Sequence, residues 1–285
     1  MATLVAIVEE WWQEASVNTP GIIYGTAWKK ERTDRLVTKA IERGFRGLDT
    51  AGQPKHYNEA GVGAALSACL RQGLTRADLY VQTKFTSLSG QDPRQIPYDP
   101  SARLEEQVAQ SFRSSLRNLQ TDYVDCYILH SPMPNPTHTA VVWQAMEVVA
   151  DAGGARGLGI SNCYSVSVLE ALHRSAKIKP AVVQNRFCAD TGYDREIRAF
   201  CGQHALIYQS FWTLTANPHI LAHRTVTTLA ARYSRTPAQI LFRYLTQSGV
   251  VPLTGTTSEA HMREDLAIFE WSLSAQECAA MAALF

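Results

Sequence analysis

Four short stretches each place a chemically active side chain at or just past the end of an apolar run: GLDTA (residues 47–51), HYNEAGVG (56–63), VQTKF (81–85) and YILHSP (127–132). These side chains are Asp49, Tyr57, Lys84 and His130. Helix-like sequence follows each run, which is typical of parallel strands joined by helices. In a closed parallel barrel the carboxyl ends of the strands share one face, and active sites lie there. The order therefore predicts that an acid, a phenol, an amine and an imidazole meet at one site.

The same alternation of strand and helix patterns continues through nearly all of the 285 residues. The predicted strands lie near residues 22–24, 47–49, 79–84, 123–129, 157–161, 181–185, 206–210 and 250–253. Eight strands are what a closed barrel needs, and barrels of this length fold as one domain. We therefore predict a single-domain (β/α)8 TIM barrel over residues 21–285. Residues 1–20 are predicted to form an N-terminal extension, with an amphipathic helix around Val8–Ala15.

Apolar periodicity predicts a long helix over residues 104–119, and turn chemistry predicts where other helices begin. Thr33 and Thr236 are predicted N-caps, and SAQE (274–277) is a capping box that starts the last helix. Residues 87–102 and 212–222 are predicted loops after the third and seventh strands. Because both leave from the carboxyl face, we expect them to wall a substrate pocket.

Composition narrows the class of protein. The formal net charge is +1, with 46% hydrophobic and 19% charged residues, so nothing indicates a nucleic-acid partner. The six cysteines form no CxxC pair, and no histidine cluster has metal-site spacing, so no metal is expected. No apolar stretch reaches the length of a membrane span, and the start lacks the pattern of a secretory signal. We expect a cytoplasmic enzyme that is a monomer or weak oligomer.

The four strand-end residues suit proton delivery. The pKa of a free phenol is near 10, which is about three units too high for easy proton donation at pH 7. An ammonium beside Tyr57 favours the phenolate and is expected to lower that pKa; Lys84 is the candidate, with Asp49 orienting it. His130 is expected to orient a carbonyl and share in proton transfer. Each residue alone also has an ordinary structural interpretation, and the combination favours the catalytic one.

These motifs resemble those of the aldo-keto reductase superfamily, and the resemblance covers about residues 21–269. Further matches are GLGISN (157–162), VVQN (182–185) and QSFWTL (209–214). The resemblance implies an eight-stranded barrel and reversible, NAD(P)H-dependent reduction of a small carbonyl substrate. It implies that Tyr57 donates the proton, that Lys84 and Asp49 adjust the pKa of Tyr57, and that His130 orients the substrate.

The resemblance also implies cofactor contacts. Ser161, Asn162 and Gln184 match positions that hold the nicotinamide carboxamide, and Phe211 matches the aromatic residue that stacks on the ring. Free N–H groups, hydroxyls and a helix start after the eighth strand suit a phosphate; these residues are Gly255, Thr256, Thr257 and Ser258. The rest of the predicted cofactor site is His261, Arg263, Glu264 and Asp265. We expect NADPH, with NADH as the alternative cofactor and only a modest preference between them.

The chain departs from the family pattern near the expected pocket. Gln53, Pro54 and Lys55 lengthen the segment between Asp49 and Tyr57, and Ser131 stands where many relatives carry tryptophan. The predicted substrate contacts are Trp28, Tyr98, Ser131 and Trp212. Which aldehyde, ketone or sugar they accept stays open.

Two other functions fit the same residues. The chain could be a nucleotide-sensing subunit that keeps this fold with little turnover, since fold alone does not determine function. Alternatively, Lys84 could form a Schiff base in an aldolase-type barrel.

Overall fold

The computed structural model describes residues 17–285, in which eight parallel strands close into a barrel in chain order. The strands are β1 (Ile23–Gly25), β2 (Gly47–Asp49), β3 (Tyr80–Phe85), β4 (Cys126–Leu129), β5 (Leu158–Ser161), β6 (Pro180–Arg186), β7 (Ile207–Phe211) and β8 (Val250–Thr254). Each strand pairs with the next, and β8 pairs with β1. The predicted (β/α)8 barrel is confirmed.

Helices surround the barrel between the strands. They are α1 (Thr33–Arg43), α2 (Glu59–Arg71), α3 (Leu104–Leu119), α4 (Pro136–Asp151), α5 (Val166–Ser175), α6 (Arg195–Gln203), α7 (Pro218–Leu221), α8 (Arg224–Tyr233), α9 (Pro237–Gln247), α10 (Glu259–Leu266) and α11 (Ala275–Ala282). The long helix predicted over 104–119 matches α3. The predicted N-cap Thr236 and the predicted capping box at Ser274 start α9 and α11, and Thr236 also forms a capping box with Gln239.

The strands divide the apolar residues between two cores, because successive side chains of a strand point to opposite sides. Side chains such as those of Ile23, Val182 and Val251 fill the barrel interior. Those that point outward, such as Tyr24 and Leu48, pack against the helices in a second, larger core. The interior is therefore a packed floor, and a ligand can enter only at the strand ends.

Three local predictions need correction. The strand expected at 123–129 begins only at Cys126, because Val124 makes just an isolated bridge to Ala155. Thr33 is the first residue of α1 and not its N-cap, since its hydroxyl donates to the carbonyl oxygen of Lys30. The predicted loop 212–222 contains the short helix α7, which Pro218 starts at its first position.

The segment before β1 closes the lower end of the barrel. Residues 17–20 belong to the predicted N-terminal extension, and Val17 is buried in the interior core beside Gly157. The helix predicted around Val8–Ala15 lies outside the described residues. Within residues 17–285, no helix combines the length and apolar character needed to cross a bilayer.

Gly63 tests how closely α2 and α3 pack. A methyl group there would overlap the carbonyl oxygen of Asn118 and lie 2.8 Å from the carbonyl carbon of Leu119. Backbone cannot yield as a flexible side chain does, so Gly63→Ala should lower the free energy of unfolding by about 1–3 kcal/mol despite alanine's better helix propensity. Urea denaturation measures this. Ala64→Ser, at the exposed neighbouring position, is the matched control and should stay within about 0.5 kcal/mol of wild type. An unchanged or increased stability for Gly63→Ala would contradict the packing described.

Candidate active site

A buried ion pair lies beneath the barrel mouth. Asp49 ends β2, and Lys84 lies near the end of the adjacent strand β3. The Lys84 Nζ donates to Asp49 Oδ1 at 2.5 Å and to the carbonyl oxygen of Thr50 at 2.9 Å. Only 1% of the lysine side chain and 4% of the aspartate side chain are exposed. The ammonium is therefore held in one position by two acceptors.

Three glutamines support Asp49 from below. Its Oδ1 also accepts from Gln82 Nε2 at 2.7 Å and from Gln184 Nε2 at 3.0 Å. Both amides also donate to Gln209 Oε1, at 2.8 and 2.9 Å. The side-chain N–H groups of Gln184 therefore point into this network. Its contact with the cofactor stays a prediction. Gln82 and Gln209 were not predicted as site residues. Strand alternation could have indicated them, because Gln82 lies two residues before Lys84 and Gln209 two residues before Phe211, on the same inward-facing side of each strand.

The insertion before Tyr57 forms a compact turn. The main-chain N–H groups of His56 and Tyr57 donate to the carbonyl oxygen of Gln53, at 3.1 and 3.0 Å. The Gln53 side chain in turn donates to the carbonyl oxygen of Gly90 at 2.6 Å. This turn returns Tyr57 to the mouth, where the Lys84 Nζ lies 5.2 Å from the centroid of its ring. The longer spacing therefore does not remove the phenol from the site.

The expected lowering of the Tyr57 pKa is wrong for this structure. Burial of the phenol and the nearby negative charge of Asp49 raise the pKa of Tyr57 above its ordinary value. Burial also lowers the pKa of Lys84, and the Asp49 carboxylate opposes that effect. Because Asp49 offsets the charge of the ammonium, Lys84 does not outweigh the loss of solvation. The phenol consequently carries its proton at neutral pH.

His130 completes the group. Its ring centroid lies 6.1 Å from that of Tyr57, in an edge-on arrangement, and its Nδ1 lies 2.6 Å from Thr86 Oγ1. Burial and the positive charge of Lys84 lower the pKa of His130 to about 3, so the imidazole is neutral at physiological pH. When the Thr86 hydroxyl donates to Nδ1, the single ring proton sits on Nε2 and can be donated to a ligand.

Two exposed tryptophans stand at the mouth. Trp28 follows β1 and Trp212 follows β7, with 55% and 51% of their surface exposed. Both have left-handed backbone, with φ of +64° and +55°, as does Asn162 with +51°. Such backbone is rare for bulky residues and tends to cluster at ligand sites. The Trp28 ring also contacts that of His56, with centroids 3.8 Å apart, which gives the mouth an aromatic edge.

The other two predicted substrate contacts differ from the tryptophans. Tyr98 is buried against Phe85, and its hydroxyl donates to the carbonyl oxygen of Thr86 at 2.8 Å. It therefore anchors the 87–102 loop and does not line the opening. Ser131 is exposed, and its hydroxyl donates to the carbonyl oxygen of His130 at 2.8 Å.

Two of the predicted nicotinamide contacts, Asn162 and Ser161, lie beside His130. Asn162 Nδ2 donates to the carbonyl oxygen of His130 at 2.9 Å and to Ser161 Oγ at 3.3 Å. Its Oδ1 accepts from the hydroxyl of Tyr164 at 3.2 Å. Phe211 ends β7 and packs on the interior core from above. Amide and hydroxyl groups and an aromatic face thus lie on the side of the mouth formed by β5, β6 and β7.

Lys29, a cation that was not predicted, reaches the turn after β8 from the segment that follows β1. The Lys29 Nζ donates to the carbonyl oxygen of Gly255 at 2.8 Å. Burial and the charge of Arg32 lower the pKa of Lys29 to about 8. A methyl group at Gly255 would meet nothing closer than 3.8 Å, so space remains beside the ammonium. The hydroxyls of the Thr256–Ser258 segment lie along the same turn.

The predicted contacts on α10 separate into two kinds. His261 and Arg263 are exposed, and Glu264 is half-buried. Asp265 is buried, and its carboxylate accepts from Thr254 Oγ1 at 2.7 Å. Burial raises the pKa of Asp265 to about 6. Asp265 therefore ties α10 to the end of β8, whereas Arg263 lies exposed on the same helix.

Comparison with known proteins identifies the family. The profile described as "Aldo/keto reductase family" matches residues 21–285. The chain belongs to the aldo-keto reductase family. It is 31% identical to an aldo-keto reductase of Mycobacterium tuberculosis, over 89% of this chain and 83% of that protein. It is 29% identical to the methylglyoxal reductase DkgA of Yersinia pestis, over 89% of this chain and 84% of that protein.

Solved aldo-keto reductase structures share the barrel. The enzyme of Brucella melitensis superposes with a TM-score of 0.80 and 26% identity, over 95% of this chain and 98% of that one. The Bombyx mori aldo-keto reductase, solved in complex with NADP, superposes with a TM-score of 0.79 and 24% identity, over 94% and 91%. The family accounts for the barrel and the motif order, whereas the roles of individual residues in this aldo-keto reductase stay predictions.

The half-buried imidazole of His130 in this aldo-keto reductase predicts a pH effect on the free energy of unfolding. An unfolded histidine binds a proton as pH falls through about 6.5, whereas folded His130 does so only at about 3. Between these values the unfolded state holds more protons, so His130 makes stability fall as pH decreases. In His130→Gln the decline between pH 6 and 4 should be shallower by up to about 1.4 kcal/mol per pH unit.

Urea denaturation at each pH measures this decline. His138→Gln, which removes an exposed histidine at the start of α4, is the control and should keep the wild-type profile. Parallel profiles for wild type and His130→Gln would show that His130 titrates alike in both states.

Proposed function

We propose that this chain is an NAD(P)H-dependent reductase of aldehydes or ketones. One observation carries the proposal: at the barrel mouth the Nζ of the buried Lys84–Asp49 pair lies 5.2 Å from the Tyr57 ring centroid, and the His130 ring lies edge-on to the Tyr57 ring. Carbonyl reduction needs a hydride on carbon and a proton on oxygen. A phenol that keeps its proton until it is needed, beside a neutral donor, suits the second half of that reaction.

In the proposed mechanism the chain positions the carbonyl and delivers the proton. The Nε2–H of His130 donates to the carbonyl oxygen and turns it toward Tyr57. Tyr57 then gives its proton to that oxygen as negative charge develops there. The ammonium of Lys84, 5.2 Å from the ring, stabilises the phenolate that remains. Asp49 keeps the ammonium oriented for this task.

The residues at the mouth fit a nicotinamide dinucleotide. Such a cofactor supplies the hydride when it is bound. Asn162 and Ser161 offer polar atoms to the carboxamide, and Phe211 offers a flat apolar face to the ring. Lys29 and the hydroxyls near Gly255 offer a cation and hydrogen-bond donors to phosphate. The NADP bound in the Bombyx mori structure supports this assignment.

The proposed substrate is a small carbonyl compound. The name of the Yersinia relative, methylglyoxal reductase, supports this class. Trp28 and Trp212 would cover the apolar part of such a substrate, since both are exposed at the mouth. A cytoplasmic location and a monomeric or weakly oligomeric state remain predictions.

The geometry disfavours the Schiff-base alternative. A lysine nucleophile must present its amine to substrate, whereas the Lys84 Nζ is buried and bonded to Asp49 and Thr50. The nucleotide-sensing alternative requires that hydride transfer be negligible, so turnover itself distinguishes the two functions.

Tyr57→Phe tests the proposed acid. The ring stays and only the hydroxyl is removed, so the variant should fold and bind NADPH while kcat falls about 10²–10⁴-fold. NADPH consumption with benzaldehyde measures turnover, and quenching of tryptophan fluorescence measures cofactor binding. Tyr123→Phe, at the lower end of the barrel before β4, is the matched control and should keep wild-type activity. Near-native activity of Tyr57→Phe would assign the proton to another group.

Arg263→Ala tests the cofactor preference. Arg263 is exposed on α10, near the phosphate-binding turn, so it can meet the 2′-phosphate of NADPH. A charge-assisted hydrogen bond is worth about 1.5–3 kcal/mol, so its loss should narrow the modest preference for NADPH predicted from the sequence, by up to roughly tenfold. The ratio of kcat/KM for NADPH to that for NADH measures this. A wild-type ratio above roughly a thousandfold, about 4 kcal/mol, would reveal a phosphate site stronger than the one proposed.

A further inference from the structure

One charged side chain at the mouth has no part in the arrangement described so far. Arg186 is the last residue of β6. Val182 of the same strand lies in the interior core, and Gln184 reaches Asp49, so alternation puts Arg186 in the same inward line. Because a strand rises about 3.3 Å per residue, Arg186 lies about 6.6 Å beyond Gln184, toward the mouth.

Arg186 is held in place by an aromatic ring. Its guanidinium carbon lies 4.3 Å from the centroid of the Trp212 ring, and its main-chain N–H donates to Tyr164 Oη at 3.2 Å. Within residues 17–285 it forms no ion pair, and its buried Nε has no hydrogen-bond partner. Among the described residues, the charge is therefore oriented but not neutralised.

A second arginine that lies over an aromatic ring, Arg76, shows which contacts Arg186 lacks among residues 17–285. Arg76 lies 4.2 Å from the centroid of the Tyr123 ring, in a similar relation to an aromatic residue. Its guanidinium also donates to Asp125 Oδ2 at 2.8 Å and to the carbonyl oxygen of Leu79 at 2.6 Å. Arg76 thus completes a structural network. Arg186 has the aromatic support without the acceptors.

The unused donors of Arg186 suit an anion. A guanidinium stays charged at any physiological pH, and stacking occupies only its flat face. Its edge then presents N–H groups in the plane that matches a carboxylate or a phosphate. β6 is opposite β2 in the closed order of eight strands, so Arg186 and the segment of Tyr57 after β2 face each other across the mouth.

We propose that Arg186, supported by Trp212, binds an anionic group of the carbonyl substrate. The substrate class is then an aldehyde or ketone that carries a carboxylate or phosphate away from its reacting carbon. This inference rests on the proposed carbonyl reduction and adds the charge of the substrate to it. The diphosphate of the cofactor is the other source of the same chemistry, and the experiment separates the two.

The test compares 4-carboxybenzaldehyde with its methyl ester, which keeps the ring and the aldehyde but masks the charge. The full-length chain is assayed with saturating NADPH, as wild type, Arg186→Gln and Arg186→Lys. Wild type should prefer the acid in kcat/KM. Arg186→Gln should lose roughly 10–100-fold on the acid and little on the ester, and Arg186→Lys should keep part of the preference. Added salt should weaken the wild-type preference.

Two controls make the result specific. Arg71→Gln removes an exposed arginine at the far end of α2 and should leave the acid-to-ester ratio unchanged. The dissociation constant of NADPH, from fluorescence quenching, should be the same in Arg186→Gln as in wild type. A tenfold weaker NADPH affinity with an unchanged acid-to-ester ratio would assign Arg186 to the cofactor diphosphate and overturn the proposal.

Other outcomes also decide the question. Wild-type turnover of both aldehydes without preference for the acid would overturn the anion site and leave carbonyl reduction standing. Equal losses on acid and ester in Arg186→Gln would show a structural role and likewise overturn it. Absence of NADPH-dependent turnover with either aldehyde would contradict the proposed function itself, and the substrate assignment would fall with it.

Discussion

The buried pair of Lys84 and Asp49 is the interaction on which the rest of the structure depends. Taking two charges out of water costs several kcal/mol per ion unless each finds ample hydrogen bonds. Here the carboxylate oxygen accepts from Lys84, Gln82 and Gln184, and the ammonium reaches a second acceptor. Those partners come from strands on different sides of the barrel, so the pair is satisfied only when the barrel closes in the correct register. Closure of the fold and assembly of the site are therefore one event.

The mouth divides into two halves with different tasks. The ends of β2, β3 and β4 and the segments after them hold the residues proposed to deliver the proton, in a setting where loss of solvation raises the pKa of the Tyr57 phenol and lowers that of the His130 imidazole. The ends of β5 to β8 and of β1 provide amides, aromatic faces and cations that suit recognition of a ligand. His130 joins the halves, since Asn162 donates to its carbonyl oxygen. A ligand that spans the mouth meets both.

The sequence predicted the barrel and the four central residues because apolar runs and their polar ends are local signals. Details that depend on contacts across the barrel were not predictable. Gln82 and Gln209 resemble ordinary strand residues until closure brings their amides together. The pKa of Tyr57 depends on burial and on Asp49, which spacing along the chain does not reveal. Arg186 lies just past the recognised VVQN motif, and it became notable only because its guanidinium lies on Trp212 with no ion-pair partner among residues 17–285.

The glutamine network has a consequence for how this chain can diverge. Asp49 Oδ1 and Gln209 Oε1 each accept from the same two amides, so no member can be replaced without leaving others buried and unsatisfied. Single substitutions there should be poorly tolerated, while matched sets can pass together. Related proteins are then expected to keep the whole glutamine network together. The exposed tryptophans at the mouth can change independently of it, which would alter the range of substrates.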